Sequence, residues 1–160
     1  MITEIINDAY KQAMLNKDED RKRVINTLRA EIKNKEIELR SSQKELTDTD
    51  VLSLIQKLIK QNKDAIQMFS NGGRQDLVEK NEMEISILEE FLPKQLTNDE
   101  IDNVIKQEIE KNGYTSIKDM GKLMGYFKNN YSGQCDMGLV SKTIKEILKW
   151  LMKIKNIKIF

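Results

Sequence analysis

The sequence predicts an all-α fold, and three observations carry that prediction. Apolar residues recur at spacings of three and four along most of the 160-residue chain, which places them on one face of a helix. Helix-start signals precede two of these runs, Thr47-x-x-Asp50 and Thr97-x-x-Glu100. The sole proline, Pro93, stands between runs and not inside one. A charged fraction of 33% against 6% aromatic residues fits a soluble helical protein rich in exposed charge, long enough to bury one core or two small ones.

The first helix is expected over Glu4 to Asn16, capped by Thr3, with Ile2, Ile5, Ile6, Ala9 and Ala13 on its inner face. The second begins near Asp18 to Asp20 and turns Val24, Leu28, Ile32 and Leu39 inward, with Ile25 beside them. Its other faces mix charges, among them Arg21, Lys22, Arg23, Arg29, Glu31 and Lys33. That pattern reads as a solvated face, with phosphate contact by Arg21 to Arg29 as the competing reading. The polar stretch RSSQKELT ends it.

Thr47 then opens a long helix, with Leu46 packing on Val51 as a staple. Val51, Ile55, Leu58, Asn62, Ala65 and Phe69 form its seam, widened by Leu52, Ile59 and Ile66; Asn62 reads as a register device. Asn71-Gly72-Gly73 stops it, the glycines being expected to supply left-handed backbone. The period resumes from Arg74 to Leu92 through Leu77, Asn81, Ile85 and Leu88, and ends because a residue before proline is pushed out of helical geometry. A domain boundary is placed at Pro93 to Thr97. A helix from Asn98 to Lys111 buries Ile101, Val104, Ile105 and Ile109, and Asn112-Gly113 closes it.

From Asp119 to Leu148 the chain reads helix, loop, helix, with Ser116 capping the first. Gly121 and Gly125, four apart, leave one side of that helix as bare backbone. Two uses stay open, tight packing inside the domain or close approach of a nucleic-acid backbone. In the second helix Lys142, Lys145 and Lys149 align on one face, with Leu139, Val140, Ile144, Ile147 and Leu148 on the other. Phosphate binding and a merely solvated face are both open for the lysines. Met120, Met124 and Met137 read as packing. Cys135, in a turn-rich loop expected to be exposed, has no base to activate it and is assigned no catalytic role.

Composition excludes several chemistries. With no histidine and one cysteine, the chain lacks a histidine-activated nucleophile, a His-ligated zinc site and an internal disulfide. No amidase nucleophile arrangement, Gly-rich nucleotide loop or metal-ligand cluster occurs. No catalytic residues, metal or cofactor are therefore expected. The net charge of +1 hides an asymmetry: from Thr97 onward 11 basic residues face 8 acidic ones, out of 27 and 26 in all. No run reaches membrane-spanning length, and the N-terminus has no basic-then-apolar signal, so a cytoplasmic location is expected, or an organellar one if a transit peptide has been removed.

The blocks ILEEFLPKQLTNDEI and KDMGKLMGYFKNNYSGQCDMGLVSKTIKEIL, with RVINTLRAEIKNKEIEL, IKQNKDAIQMF and GGRQDLVEKNEMEISILEEFLPKQL, resemble the YqeY family from about residue 3 to about residue 148. That family is similar to the tail region of the B subunit of the glutamine-dependent aminoacyl-tRNA amidotransferase. The resemblance implies an N-terminal domain of long antiparallel helices, residues 1–93, followed by a small three-helix tail domain, residues 97–148. It also implies tRNA holding by the tail, and a carbon–nitrogen ligase label with glutamine as amide donor that comes from the larger enzyme.

Met120, Gly121, Lys122, Met124, Gly125, Gly133, Asp136, Leu139 and Val140 match the family pattern. The loop departs from it, with Asn129, Asn130, Ser132, Gln134, Cys135 and Met137 where relatives typically carry lysines and K-A-D-G. Fewer loop charges weaken phosphate contact there. The extension at residues 149–160, KWLMKIKNIKIF, lies beyond the pattern and adds Lys149, Lys153, Lys155 and Lys158, which relocates the charge. Its apolar residues Trp150, Ile154, Ile157, Ile159 and Phe160 are expected to pack on this chain, a partner or a membrane surface.

The expected role is non-catalytic binding of tRNA or another structured RNA through Gly121, Lys122, Gly125, Lys128, Lys142, Lys145 and Lys149, alone or beside amidotransferase subunits. The alternative is a protein-interaction module that uses the Val51 to Phe69 seam or the apolar C-terminus.

Overall fold

Seven α-helices and one short 3-10 turn account for nearly all of the structure, a computed structural model that describes residues 1–157; no strand occurs among them. The chain forms two compact units, one from Met1 to Pro93 and one from Lys94 onward, each with its own apolar core.

In the first unit, α1 (Ile2–Leu15) starts earlier than Thr3 capping would allow, so Thr3 lies inside the helix and Met1 occupies the cap position without a side-chain bond. The inward arc runs through Ile2, Ile6, Ala9 and Ala13 at four-three-four spacing with Tyr10 beside it, and Ile5 falls off it at 60% exposure. Asp18 caps α2 (Glu19–Ser41) through the Arg21 N–H, and Val24, Ile25, Leu28 and Ile32 are buried. Arg21, Arg23 and Arg29 of α2 are engaged at home. Arg21 pairs with Glu90 at 2.7 Å, Arg23 with Glu84 at 2.9 Å, and Arg29 lies 4.2 Å from the Tyr10 ring centre while donating to Asn7. That face is cross-braced to neighbouring helices, which leaves little of it for phosphate.

The capping box at Thr47 and Asp50 forms with both bonds, and α3 (Asp48–Asn71) runs from it to the glycines. Gly72 keeps a right-handed φ of −86°; Gly73 alone takes the left-handed turn, at +70°, and Arg74 N–H closes it on the Phe69 carbonyl at 2.9 Å. In α4 (Gln75–Glu89) the buried positions are Val78, Ile87 and Leu88, while Leu77, Asn81 and Ile85 are half-buried, so the inner face is rotated from the expected seam. Here α4 packs most extensively on α3 and also on α2, so it needs a broader inner arc than one stripe. It ends before Leu92 because the chain tightens into three-residue turns at Phe91 and Leu92 ahead of Pro93.

In the second unit, Thr97 and Glu100 form the other capping box, starting α5 (Asn98–Asn112), and Gly113 closes it at φ +69°. Ile101 and Ile105 of α5 meet Leu123 and Phe127 of α6 (Met120–Asn130) and Val140, Ile144 and Leu148 of α7 (Met137–Ile157) in one core. Partly buried Met120, Met124 and Met137 pack against that core.

Candidate functional site

The start of α6 is set by Asp119, whose carboxylate accepts from the Thr115 and Ser116 N–H groups at 3.0 and 3.2 Å. Those bonds hold its carboxyl below the usual carboxylate range. The 3-10 turn Ile117–Asp119 lies between Ser116 and α6, so Ser116 precedes that turn and not the α-helix itself.

Leu123 and Phe127 fix the inner side of α6. At 100° per residue, Gly121, Gly125 and Lys128 fall on the opposite side, away from the core. Among the described residues, a Cβ built on Gly121 or Gly125 would meet nothing within 4 Å, so neither glycine is required for packing there. The tight-packing use is thereby removed. The pair is an open strip of backbone that costs helix stability, and replacing both by alanine is expected to stabilise the unit by about 1 kcal/mol each in chemical denaturation. Lys122 sits to one side, its Nζ 5.7 Å from the Tyr114 ring centre.

Between α6 and α7 the loop is anchored from a distance. Leu96 N–H donates to the Gln134 carbonyl at 2.7 Å, and Gln95 Nε2 to the Gly133 carbonyl at 2.6 Å. Gly133 holds φ +74°, where a side chain would be strained. This clamp draws Cys135 inward. Contrary to the expectation of an exposed thiol, Cys135 is buried at 3% and belongs to the core, its Sγ 3.8 Å from the Tyr131 carbonyl. Burial, and secondly the charge of Asp136, push the thiol pKa up, which makes it a poor nucleophile. Labelling by an aromatic disulfide reagent is expected to be at least about tenfold slower in the folded protein than in urea.

Asp136 then opens α7 by accepting from the Gly138 N–H at 2.8 Å. Val140, Ile144 and Leu148 are fully buried, so the helix has one inward stripe. Leu139, expected there, is 38% exposed because its position lies well to the side of that stripe. Lys142, Lys145 and Lys149 are exposed on the outward face, and Lys153 continues their line by another turn. None of Lys122, Lys128, Lys142, Lys145, Lys149 or Lys153 has a carboxylate within 4.0 Å among the described residues, although Glu146 lies four residues after Lys142 and three before Lys149 on the same face. Glu146 is the one acid in α7.

Sequence spacing missed two things. One is the clamp by Gln95 and Leu96, which no local pattern announces. The other is the length of α7, which runs without interruption past Leu148 to Ile157. The signal for this was available, since neither proline nor glycine follows Gly138. Lys158, Ile159, Phe160 and the side chain of Ile157 lie outside the described residues. No cluster of metal-ligating side chains occurs among the described residues, and no helix there is long and apolar enough to cross a membrane.

A family model described as Yqey-like protein matches residues 3–148. The chain belongs to the YqeY-like family. Among curated proteins it is similar to "Altered inheritance of mitochondria protein 41, mitochondrial" of Lachancea thermotolerans, 44% identical over 82 residues, which are 51% of this chain and 43% of that protein. A Kluyveromyces lactis protein of the same name is 46% identical over 81 residues, again 51% and 43%. One from Pyrenophora tritici-repentis is 32% identical over 143 residues, 86% of this chain and 76% of that protein. The chain thus spans less than half the length of the first two relatives and about three quarters of the third. In this YqeY-like chain the family match takes in the glycine strip, Lys142 and Lys145, and stops just before Lys149 and Lys153.

Proposed function

We propose that this YqeY-like protein is a non-catalytic RNA-binding protein, with tRNA or a similarly structured RNA as its ligand. The observation that carries the reading is the outward face of α7, where Lys142, Lys145, Lys149 and Lys153 stand exposed, four cations to the one acid Glu146 and without an ion pair among the described residues, along about 16 Å of helix. A line of cations at that spacing suits a phosphate backbone, whose counterions each lysine would release. The open strip at Gly121 and Gly125, with Lys128 in line and Lys122 beside it, offers a place where a sugar-phosphate chain can approach backbone closely.

In this reading the α5 to α7 unit acts as a tRNA-holding tail like that of the amidotransferase, with the α1 to α4 unit as a separate helical domain, and amidotransferase subunits are the natural partners. The work would be done in the cytoplasm, or inside an organelle as the names of the relatives state for those proteins. An equilibrium titration of labelled tRNA tests it. Saturable binding that survives excess heparin is expected; affinity no tighter than for heparin would remove the proposal.

A further inference from the structure

We infer that Trp150 is a stacking platform for an unpaired base, so that α7 takes single-stranded segments of RNA in preference to duplex. This deepens the RNA-binding reading above and rests on it. Trp150 is 60% exposed in an ordered helix, an unusual position for the largest aromatic side chain. It lies beyond the family match, so nothing in the shared pattern accounts for it. Along the helix, exposed Lys153 stands three residues on, on the same face, while exposed Lys149 lies one position before, about 100° further round. An indole face with a cation one turn on meets the two demands of single-stranded nucleic acid, a π surface for the base and positive charge for the backbone. Duplex RNA cannot use the first, because its bases are already stacked and its major groove is too deep and narrow for a side chain.

Charge and burial together select this ligand over a lipid surface. A helix that lies in a membrane interface sinks a continuous apolar face among the lipid chains. In α7 that face, Val140, Ile144 and Leu148, is already inside the protein core. Among the described side chains, what remains outside is Trp150 with exposed Leu139 and Met152 and partly exposed Ile154 among lysines, less than the continuous face an interfacial helix sinks and sufficient for one base. Glu146, one turn before Trp150, repels phosphate, so the strand is expected to lie toward Lys149 and Lys153.

Trp150 is the only tryptophan, so fluorescence excited where the four tyrosines are silent reports on this side chain alone. The full chain is titrated with a short single-stranded oligoadenylate, a duplex RNA of equal length, heparin, and vesicles of phosphatidylserine and phosphatidylcholine. Saturable quenching by oligoadenylate, with little quenching by duplex or heparin, is expected. Trp150→Ala should weaken oligoadenylate binding by about fivefold or more, and Trp150→Phe should restore most of it. The ring is mostly in solvent, so neither variant should disturb the fold, and the quenching arm needs no variant. Equal quenching by duplex and heparin, or unchanged affinity in Trp150→Ala, overturns the inference and leaves RNA binding standing if tRNA is still held. Binding of no RNA overturns both. A blue-shifted spectrum with vesicles alone assigns the face to lipid instead.

Discussion

Replacing Phe127 by alanine is expected to destabilise the second unit by about 3–5 kcal/mol, the usual cost of emptying a large aromatic site in a packed core. Phe127 is fully buried where α5, α6 and α7 meet, and it anchors a ring cluster with Tyr131 at 5.6 Å and Tyr126 at 6.3 Å between centroids. Neither tyrosine can fill the void without leaving the half-buried position it already holds. A unit this small holds only about 3–10 kcal/mol in total, so the substitution takes much of its stability. Cys135 gives a local readout because it is buried in the same core. If its labelling proceeds through transient opening, Phe127→Ala should speed it by roughly a hundredfold or more, alongside a lower urea midpoint. An unchanged labelling rate would mean that the thiol is reached without opening this core.

The same core shows where sequence reading stopped. Helix starts were legible because their grammar is local: Thr47 with Asp50, and Thr97 with Glu100, satisfy exposed N–H groups within four residues of chain. The turn at Gly113 was legible for the same reason, one residue with a left-handed φ. What the periodicity could not supply was how wide each inner face is. That width depends on how many helices a given helix touches. In α1 it takes in Tyr10 and leaves Ile5 outside; in α4 it broadens to take in Val78 and Ile87. Cys135 is the clearest case. Nothing in YSGQCDMG distinguishes a buried thiol from an exposed one. The side chain is inside because Gln95 and Leu96, some forty residues earlier, bond to the carbonyls of the two residues before it.

For the site, the types and spacing of the lysines were legible, but their freedom was not. On spacing alone, the arginines of α2 read as a solvated face with phosphate contact as the competing reading, and the lysines of α7 left both readings open. The structure separates them: Arg21 is paired to Glu90 in the turn after α4 and Arg23 to Glu84 of α4, whereas the outward lysines of α7 have one acid, Glu146, among them and no ion pair within 4.0 Å among the described residues. Charge that is already compensated releases few counterions on binding. The proposed interface therefore rests on α7.

Changing Lys142, Lys145 and Lys149 together to alanine is expected to weaken tRNA binding about a hundredfold at moderate salt, taking roughly 1 kcal/mol for each solvent-screened lysine–phosphate pair. The stronger signature is the salt dependence. Each lysine withdrawn from a phosphate should make the slope of log affinity against log salt shallower by about 0.7–0.9, so the triple variant should lose about 2 to 3 in slope. Stability should hold, since all three are exposed and alanine is the better helix former. A matched control separates a site from mere net charge. Lys57, Lys60 and Lys63 on α3 are equally exposed, similarly spaced and likewise without an ion pair within 4.0 Å among the described residues. Their removal lowers the charge of the whole chain by the same amount. Filter-binding titrations across a salt series should show the α7 variant losing both affinity and slope while the α3 variant keeps most of both. Equal losses in the two would mean that tRNA responds to overall charge, and α7 would then have no claim to be the binding face.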